Sequence, residues 1–310
     1  MFDKYFLNKL KEKYNYNDKT INALAKIIPS LLQFYGEEHS EVVLEAIFNC
    51  EIIPCNSYQT ISKIKREKEL TKFTGEPLVG DIDLKRAEGV YLSSPKISYN
   101  EISNTFNIDE ISRVIVTSHT YNYDSPKGLE VLTYALCKLV KSYYNEYKLE
   151  ENEIIKRYGI SYEKRRIIKD GNNIYLDLFE ENGKSLEEGF TIYDAEQIVS
   201  MILLDNYEFH DYKTVYAIAT ILKNKFNLHD EINNCEIYGD YGHFKKMCND
   251  KDILHVKCDE CLLLEDEMFI APSRKDKDEL ESKLNRLLSK ELFEILNDIL
   301  VNQRRENIKS

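Results

Sequence analysis

Tryptophan is absent from the chain, and glycine (11) and proline (6) are sparse for 310 residues. That scarcity excludes collagen-like, linker-like and glycine-rich repeat architectures. No apolar run reaches the ~18–20 residues that a membrane span needs. The opening stretch, Met1-Phe2-Asp3-Lys4-Tyr5-Phe6-Leu7-Asn8-Lys9-Leu10-Lys11, is charged throughout and lacks the apolar segment of a secretory signal. Positive charge is in deficit: 42 Lys and Arg against 54 Asp and Glu leave a net charge of −12. Binding to a nucleic-acid backbone draws its affinity from Lys and Arg neutralising phosphates, so neither nucleic acid nor membrane is an expected partner. The 7 cysteines are odd in number and scattered. With no export signal they suit free thiols in a reducing cytoplasm better than a disulfide framework.

What is present is an ordinary globular mixture, in which 22 tyrosines and 13 phenylalanines supply the aromatic core volume. At ~150 residues per domain, the length suggests two domains or one large one. Ile21, Leu24, Ala25, Ile28, Leu31 and Leu32 recur at helical spacing, with Pro29 as an expected kink, and Val42, Val43, Ala46 and Ile47 continue such a stripe from about Ser40. Residues 62–72 read as a solvated face and Gly75–Gly80 as a loop. Arg113–Ser118 is short, β-branched and bounded by polar residues, which predicts a strand. Ser125 as N-cap and Pro126 at the first helical position then predict a helix over 126–146. Glu153–Arg157 and Asn173–Phe179 read as strands, the second after the turn Asp170-Gly171-Asn172. Leu186–Leu204, Tyr212–Phe226 and Lys275–Val301 read as helices. The pattern predicts an α+β protein, with an N-terminal α+β lobe over 1–180 and a mainly helical C-terminal lobe over 181–310.

Several short patterns carry little chemistry. Gly183-Lys184-Ser185 lies where a phosphate-binding loop would, but the required earlier glycine position is Leu178. Asp81-Ile82-Asp83 has no supporting elements, and Lys63–Lys68 and Lys164-Arg165-Arg166 read as solvated faces. Cys137 falls in the middle of a helix, where a thiol is inert. Cys258-Asp259-Glu260-Cys261, near His243, Cys248 and His255, is one C-x-x-C without a second pair, so a small structural-zinc module at 243–261 is a minor alternative.

The order strand, capped helix, two strands and the segment Leu186-Glu187-Glu188-Gly189-Phe190 resembles the zincin metallopeptidases of the gluzincin type. Leu132–Tyr143 is similar to a bacterial family helix of the form L-T-H-E-L-C-H-L-I-K-S-Y, and Gly183–Thr191 to that family's L-x-E-G-F segment. In such a helix two histidines at i and i+4 hold one zinc, and the Glu beside the first activates the metal-bound water. Carried over by position, the resemblance puts the first histidine at Tyr134, the catalytic Glu at Ala135, the second histidine at Lys138 and the third ligand at Glu188. Only Glu188 keeps a competent side chain. The resemblance therefore implies a zincin-like fold whose catalytic residues, metal and cofactor are gone. What remains is a peptide- or protein-binding scaffold that accepts its partner along an edge strand at 113–118, with an ion pair between Lys138 and Glu188 where the metal would sit. His119 and Glu187 are the cleft candidates. A hydrolase with a non-standard site built from His119, Glu187 or Glu188 is the alternative. Oligomeric state is not legible in the sequence.

Overall fold

A computed structural model describes residues 4–55, 89–118, 122–171, 173–182, 184–205, 219, 222–223 and 228–250. The sequence expectations at residues 62–72, 75–80 and 81–83, at His119, at 212–218, 220–221 and 224–226, at 275–301 and at His255, Cys258 and Cys261 lie outside the described residues. The chain forms two compact units. The first comprises Met1–Arg157, Glu163–Glu180 and Asp194–Tyr207; the second comprises Tyr158–Tyr162, Glu181–Tyr193 and Glu208–Ser310. With seven helices and two sheets among the described residues, the chain is α+β.

Helices α1 (Lys4–Tyr14), α2 (Asp18–Tyr35) and α3 (Ser40–Phe48) open the first unit. The Asn17 side chain accepts the Thr20 N–H at 2.9 Å, satisfying one of the donors a helix start leaves open. The buried stripe Thr20, Ala23, Leu24, Ile27, Ile28, Leu31 and Tyr35 then follows helical spacing. Pro29 lies within α2, on its exposed side, and the helix runs six residues beyond it.

The first sheet has the order β1 (Glu51–Cys55), β3 (Thr105–Ser118), β2 (Gly89–Asn100). β1 runs parallel to β3, pairing Glu51 with Val114 through Cys55 with Ser118. β2 runs antiparallel to β3, pairing Gly89 with Thr117 through Asn100 with Thr105, with a bulge at Lys96/Ile97. The expected strand at 113–118 is therefore the C-terminal part of a longer strand, and it is central. Both its flanks are occupied, which corrects the expectation that it offers an open edge. Its composition already fits the central place: Val114, Ile115 and Val116 are all buried. Pro54 sits in β1, the terminal strand of this sheet among the described residues, where a missing N–H is tolerated.

Helix α4 (Pro126–Tyr143) follows β3. Ser125 Oγ accepts the Gly128 N–H at 3.1 Å, and Pro126 takes the first helical position, as the sequence indicates. Gly128 is required there, because a Cβ would collide with the Asn122 carbonyl. The helix ends three residues earlier than expected: Tyr144 is extended and Asn145 adopts a left-handed φ of 59°. That reversal turns Glu146 inward and starts the second sheet.

The second sheet is a meander, β4 (Tyr147–Glu150), β5 (Glu153–Tyr158), β6 (Ser161–Asp170) and β7 (Asn173–Asn182). Ile154, Ile167 and Leu176 from this sheet share one core with Ile97 and Phe106 of the β2–β3 hairpin. β6 contains Lys164-Arg165-Arg166, a basic run whose composition alone suggests a solvated face. The charges are accommodated by pairing, Lys164 with Glu180 at 2.8 Å and Arg165 with Glu163 at 2.9 Å.

Helix α5 (Lys184–Leu203) begins two residues before the expected start. In the second unit, α6 (His229–Tyr238) and α7 (Tyr241–Asp250) follow. α6 stops at Gly239, left-handed with φ 67°, and Asp240 N–H reaches back to the Cys235 carbonyl at 2.9 Å. Phe190 and Phe244 pack edge to face, with ring centres 5.9 Å apart.

Candidate functional site

The positions at which the resemblance places a metal-binding motif lie on α4, in the first unit. Tyr134 and Lys138 are one turn apart and half-buried. Helical spacing at i and i+4 brings them together, with the Lys138 ammonium 4.9 Å from the centre of the Tyr134 ring. Ala135 is fully buried and carries no donor. A zinc ion takes neutral imidazole, thiolate or carboxylate ligands, and a fixed ammonium repels it. The side chains at 134, 135 and 138 therefore do not fit a zinc ion.

Glu187 and Glu188 belong to the segment of α5 that falls in the second unit. Glu188 is half-buried. Glu187 is buried, and its task is local. The turn between β5 and β6 places Gly159 at φ +60°, and a Cβ there would run into the Glu187 carboxylate. Through that gap Glu187 Oε2 accepts the Ile160 N–H at 2.8 Å, and Glu187 Oε1 accepts the Thr191 hydroxyl at 3.2 Å. Glu187, the cleft candidate of the sequence, holds a backbone turn in this unit. His243 is exposed at the start of α7, where its N–H is capped by Asp240 Oδ1 at 2.8 Å. Among the described residues no group of three or more His, Cys, Asp or Glu is placed to hold a metal.

Buried polar centres form where the sequence carries no signal. In the first unit, Glu146 Oε2 accepts Arg113 Nε at 2.8 Å and Glu146 Oε1 accepts the Tyr91 hydroxyl at 2.8 Å. The guanidinium also stacks 4.6 Å from the Tyr143 ring. Tyr143 in turn accepts from Asn49 Nδ2 at 2.8 Å and donates to Glu45 Oε1 at 3.0 Å. Burial, with the Glu146 charge second, pushes the neighbouring Cys50 thiol and Tyr91 phenol well above their ordinary ranges. Nearby, Tyr147 shares a 2.9 Å hydrogen bond with Ser93, and burial raises its phenol to about 12. The Arg113–Glu146–Tyr91 contacts tie β2 and β3 to the residue that precedes the second sheet.

In the second unit, Lys223 and Glu236 pair at 2.7 Å with both side chains fully enclosed. Lys223 Nζ also donates to Asn233 Oδ1 at 2.8 Å, and Asn233 Nδ2 lies 3.0 Å from His229 Nε2. The partners lie 10 and 13 residues from the lysine, a spacing with no recognisable motif.

Compared with known proteins, the chain matches no family model, no curated protein and no solved structure. No described helix is long and apolar enough to cross a membrane.

Proposed function

We propose that this chain is a zincin-like protein without metal or peptidase chemistry, which binds a peptide or protein partner and does not hydrolyse it. The observation that carries the reading is the side-chain set on α4. Where the resembled motif needs two imidazoles and a carboxylate, Lys138 lies over Tyr134 and Ala135 is enclosed. A phenol, a methyl group and an amine supply neither the imidazole ligands nor the carboxylate base that the motif needs. The commitment of Glu187 to the Ile160 N–H and Thr191 hydroxyl supports the same reading against a hydrolase with a non-standard site. Cys50, Cys137 and Cys235 are buried free thiols, which supports a reducing cytoplasmic setting.

Because β3 is paired on both flanks, the partner contact moves from strand 113–118 to the half-buried Tyr134–Lys138 ridge. An aromatic ring topped by a cation is the kind of anchor that protein interfaces favour. The test is metal analysis after dialysis against zinc, with a peptidase assay on an unfolded protein substrate. No bound zinc and no cleavage are expected. Stoichiometric zinc that Glu188→Gln or Tyr134→Phe releases would overturn the proposal. A photo-crosslinking residue at position 134 checks the contact, and adducts arising only from distant positions would reject it.

A further inference from the structure

Four side chains of the second unit converge, three of them buried and His229 half-buried, and their chemistry is that of an amide-forming site. Lys223 is the nucleophile type. Its Nζ is 2.8 Å from the carbonyl oxygen of Asn233. One C=O bond is ~1.23 Å, so Nζ lies within about 4 Å of Asn233 Cγ. Glu236 Oε2 is 2.7 Å from the same Nζ, where a base belongs. His229 Nε2 is 3.0 Å from Asn233 Nδ2, the nitrogen that would depart. The rings of Phe190 and Tyr193 stand 5.2 and 5.9 Å from Nζ. Lys223 and Glu236 are fully buried and Asn233 is 1% exposed.

We propose that Lys223 and Asn233 join through an internal amide bond, formed by the protein itself with Glu236 as the proton-transferring base and His229 holding the amide nitrogen that departs. The 2.7 Å contact gives the first step its path: a proton moves from Nζ to Glu236 Oε2. The freed lone pair attacks Asn233 Cγ, forming the C–N bond and moving the carbonyl π electrons onto Oδ1. Those electrons then return, the Cγ–Nδ2 bond breaks and Nδ2 takes the proton held by Glu236; Glu236 accepts the second Nζ proton in its place and passes it to the departing ammonia. One hydrogen stays on the new amide nitrogen. The other two from the Lys223 ammonium leave with Nδ2 and its own two hydrogens as an ammonium ion. Atoms and charge balance, and no oxidant or cofactor enters. The side chains are held in place by packing, which supplies the proximity that makes an otherwise slow amide exchange feasible.

The arrangement also explains why a lysine is enclosed at this position. A buried ion pair contributes little stability over an apolar pair of similar volume. A covalent tie between Lys223 and α6 would contribute by restricting the unfolded chain, as a disulfide does, without needing an oxidising compartment.

The experiment is intact-mass measurement of the full-length chain under denaturing conditions, followed by tandem mass spectrometry of its digest. The wild type is expected to be lighter than its sequence mass by one ammonia, with the Lys223 and Asn233 peptides recovered joined. Glu236→Gln, checked as folded by circular dichroism, is expected at its full sequence mass with the two peptides separate. A wild-type chain at its full sequence mass with separate peptides overturns the proposal. Complete joining in the Glu236→Gln variant overturns the assignment of the base.

Discussion

Lys141 on α4 and Asp194 on α5 form a salt bridge of 2.7 Å in which neither side chain is more than 1% exposed. The Tyr35 hydroxyl approaches the same Asp194 Oδ2 at 3.4 Å, so the end of α2 is joined to the pair. An enclosed pair of this kind is costly to break from one side, because the partner left behind is a charge without water. Asp194→Leu or Lys141→Met alone is expected to destabilise the fold by about 3–5 kcal/mol. The double variant is expected to recover most of that loss. Urea denaturation of the three variants checks this, and independent, additive losses would contradict it.

Alkaline pH offers a second test. Burial raises the phenols of Tyr14 and Tyr147 from 10.0 to about 12. Between those values the unfolded chain gives up phenolic protons that the folded chain retains. Stability contributed by the neutral phenols is therefore complete below pH 10.0 and declines as pH rises through about 12. Each group contributes a slope of at most about 1.4 kcal/mol per pH unit. Denaturation midpoints measured across this window are expected to fall, and a flat profile would show that the phenols are not held neutral by the fold.

Gly159 tests the clamp on the β5–β6 turn. Its φ of +60° disfavours any L side chain, and a Cβ would displace the Glu187 carboxylate. Gly159→Ala is expected to lower stability by ~1–3 kcal/mol, through backbone strain together with loss of the Ile160 hydrogen bond. Gly171 has a similar φ of +58° with nothing near its Cβ position, so Gly171→Ala should show the strain alone and a smaller loss. Thermal melts of the two variants separate the contributions. Equal losses would mean that the Glu187 contact adds nothing.

The described thiols are expected to resist modification. Burial, followed by the charges of Asp240, Glu236 and Glu231, pushes the Cys235 thiol up to about 12. Iodoacetamide at mildly alkaline pH should leave Cys50, Cys137 and Cys235 unlabelled in the native protein and label all three after denaturation. Peptide mapping reads each site. Rapid native labelling of Cys235 would show that α6 opens readily.

Local chemistry made part of this fold legible. Ser125 and Pro126 fix the start of α4 through hydrogen bonding and a preset φ, and both act within four residues. Val114-Ile115-Val116 is readable as a strand because β-branching and burial agree. β1 is harder to read, since Pro54 argues against a strand unless the strand is terminal. β6 is obscured by its basic run, whose cross-strand partner Glu180 lies 16 residues further on, in β7. The polar centres were not legible at all. Lys141, Lys223, Glu146 and Glu236 look like surface residues because charged side chains are almost never enclosed unless paired, and their partners are set by tertiary structure. At the candidate site, the sequence located Tyr134 and Lys138 on one helical face. It also singled out Glu187, but its contact with the Ile160 N–H depends on a turn 27 residues earlier and has no local signal.

The β2–β3 hairpin belongs to two layers at once. Its one end holds β1 through Val114–Ser118, and its other end contributes Ile97 and Phe106 to the core shared with β5, β6 and β7. A single ribbon thus works as a common spine. Loosening that spine should therefore be felt in both sheets at once.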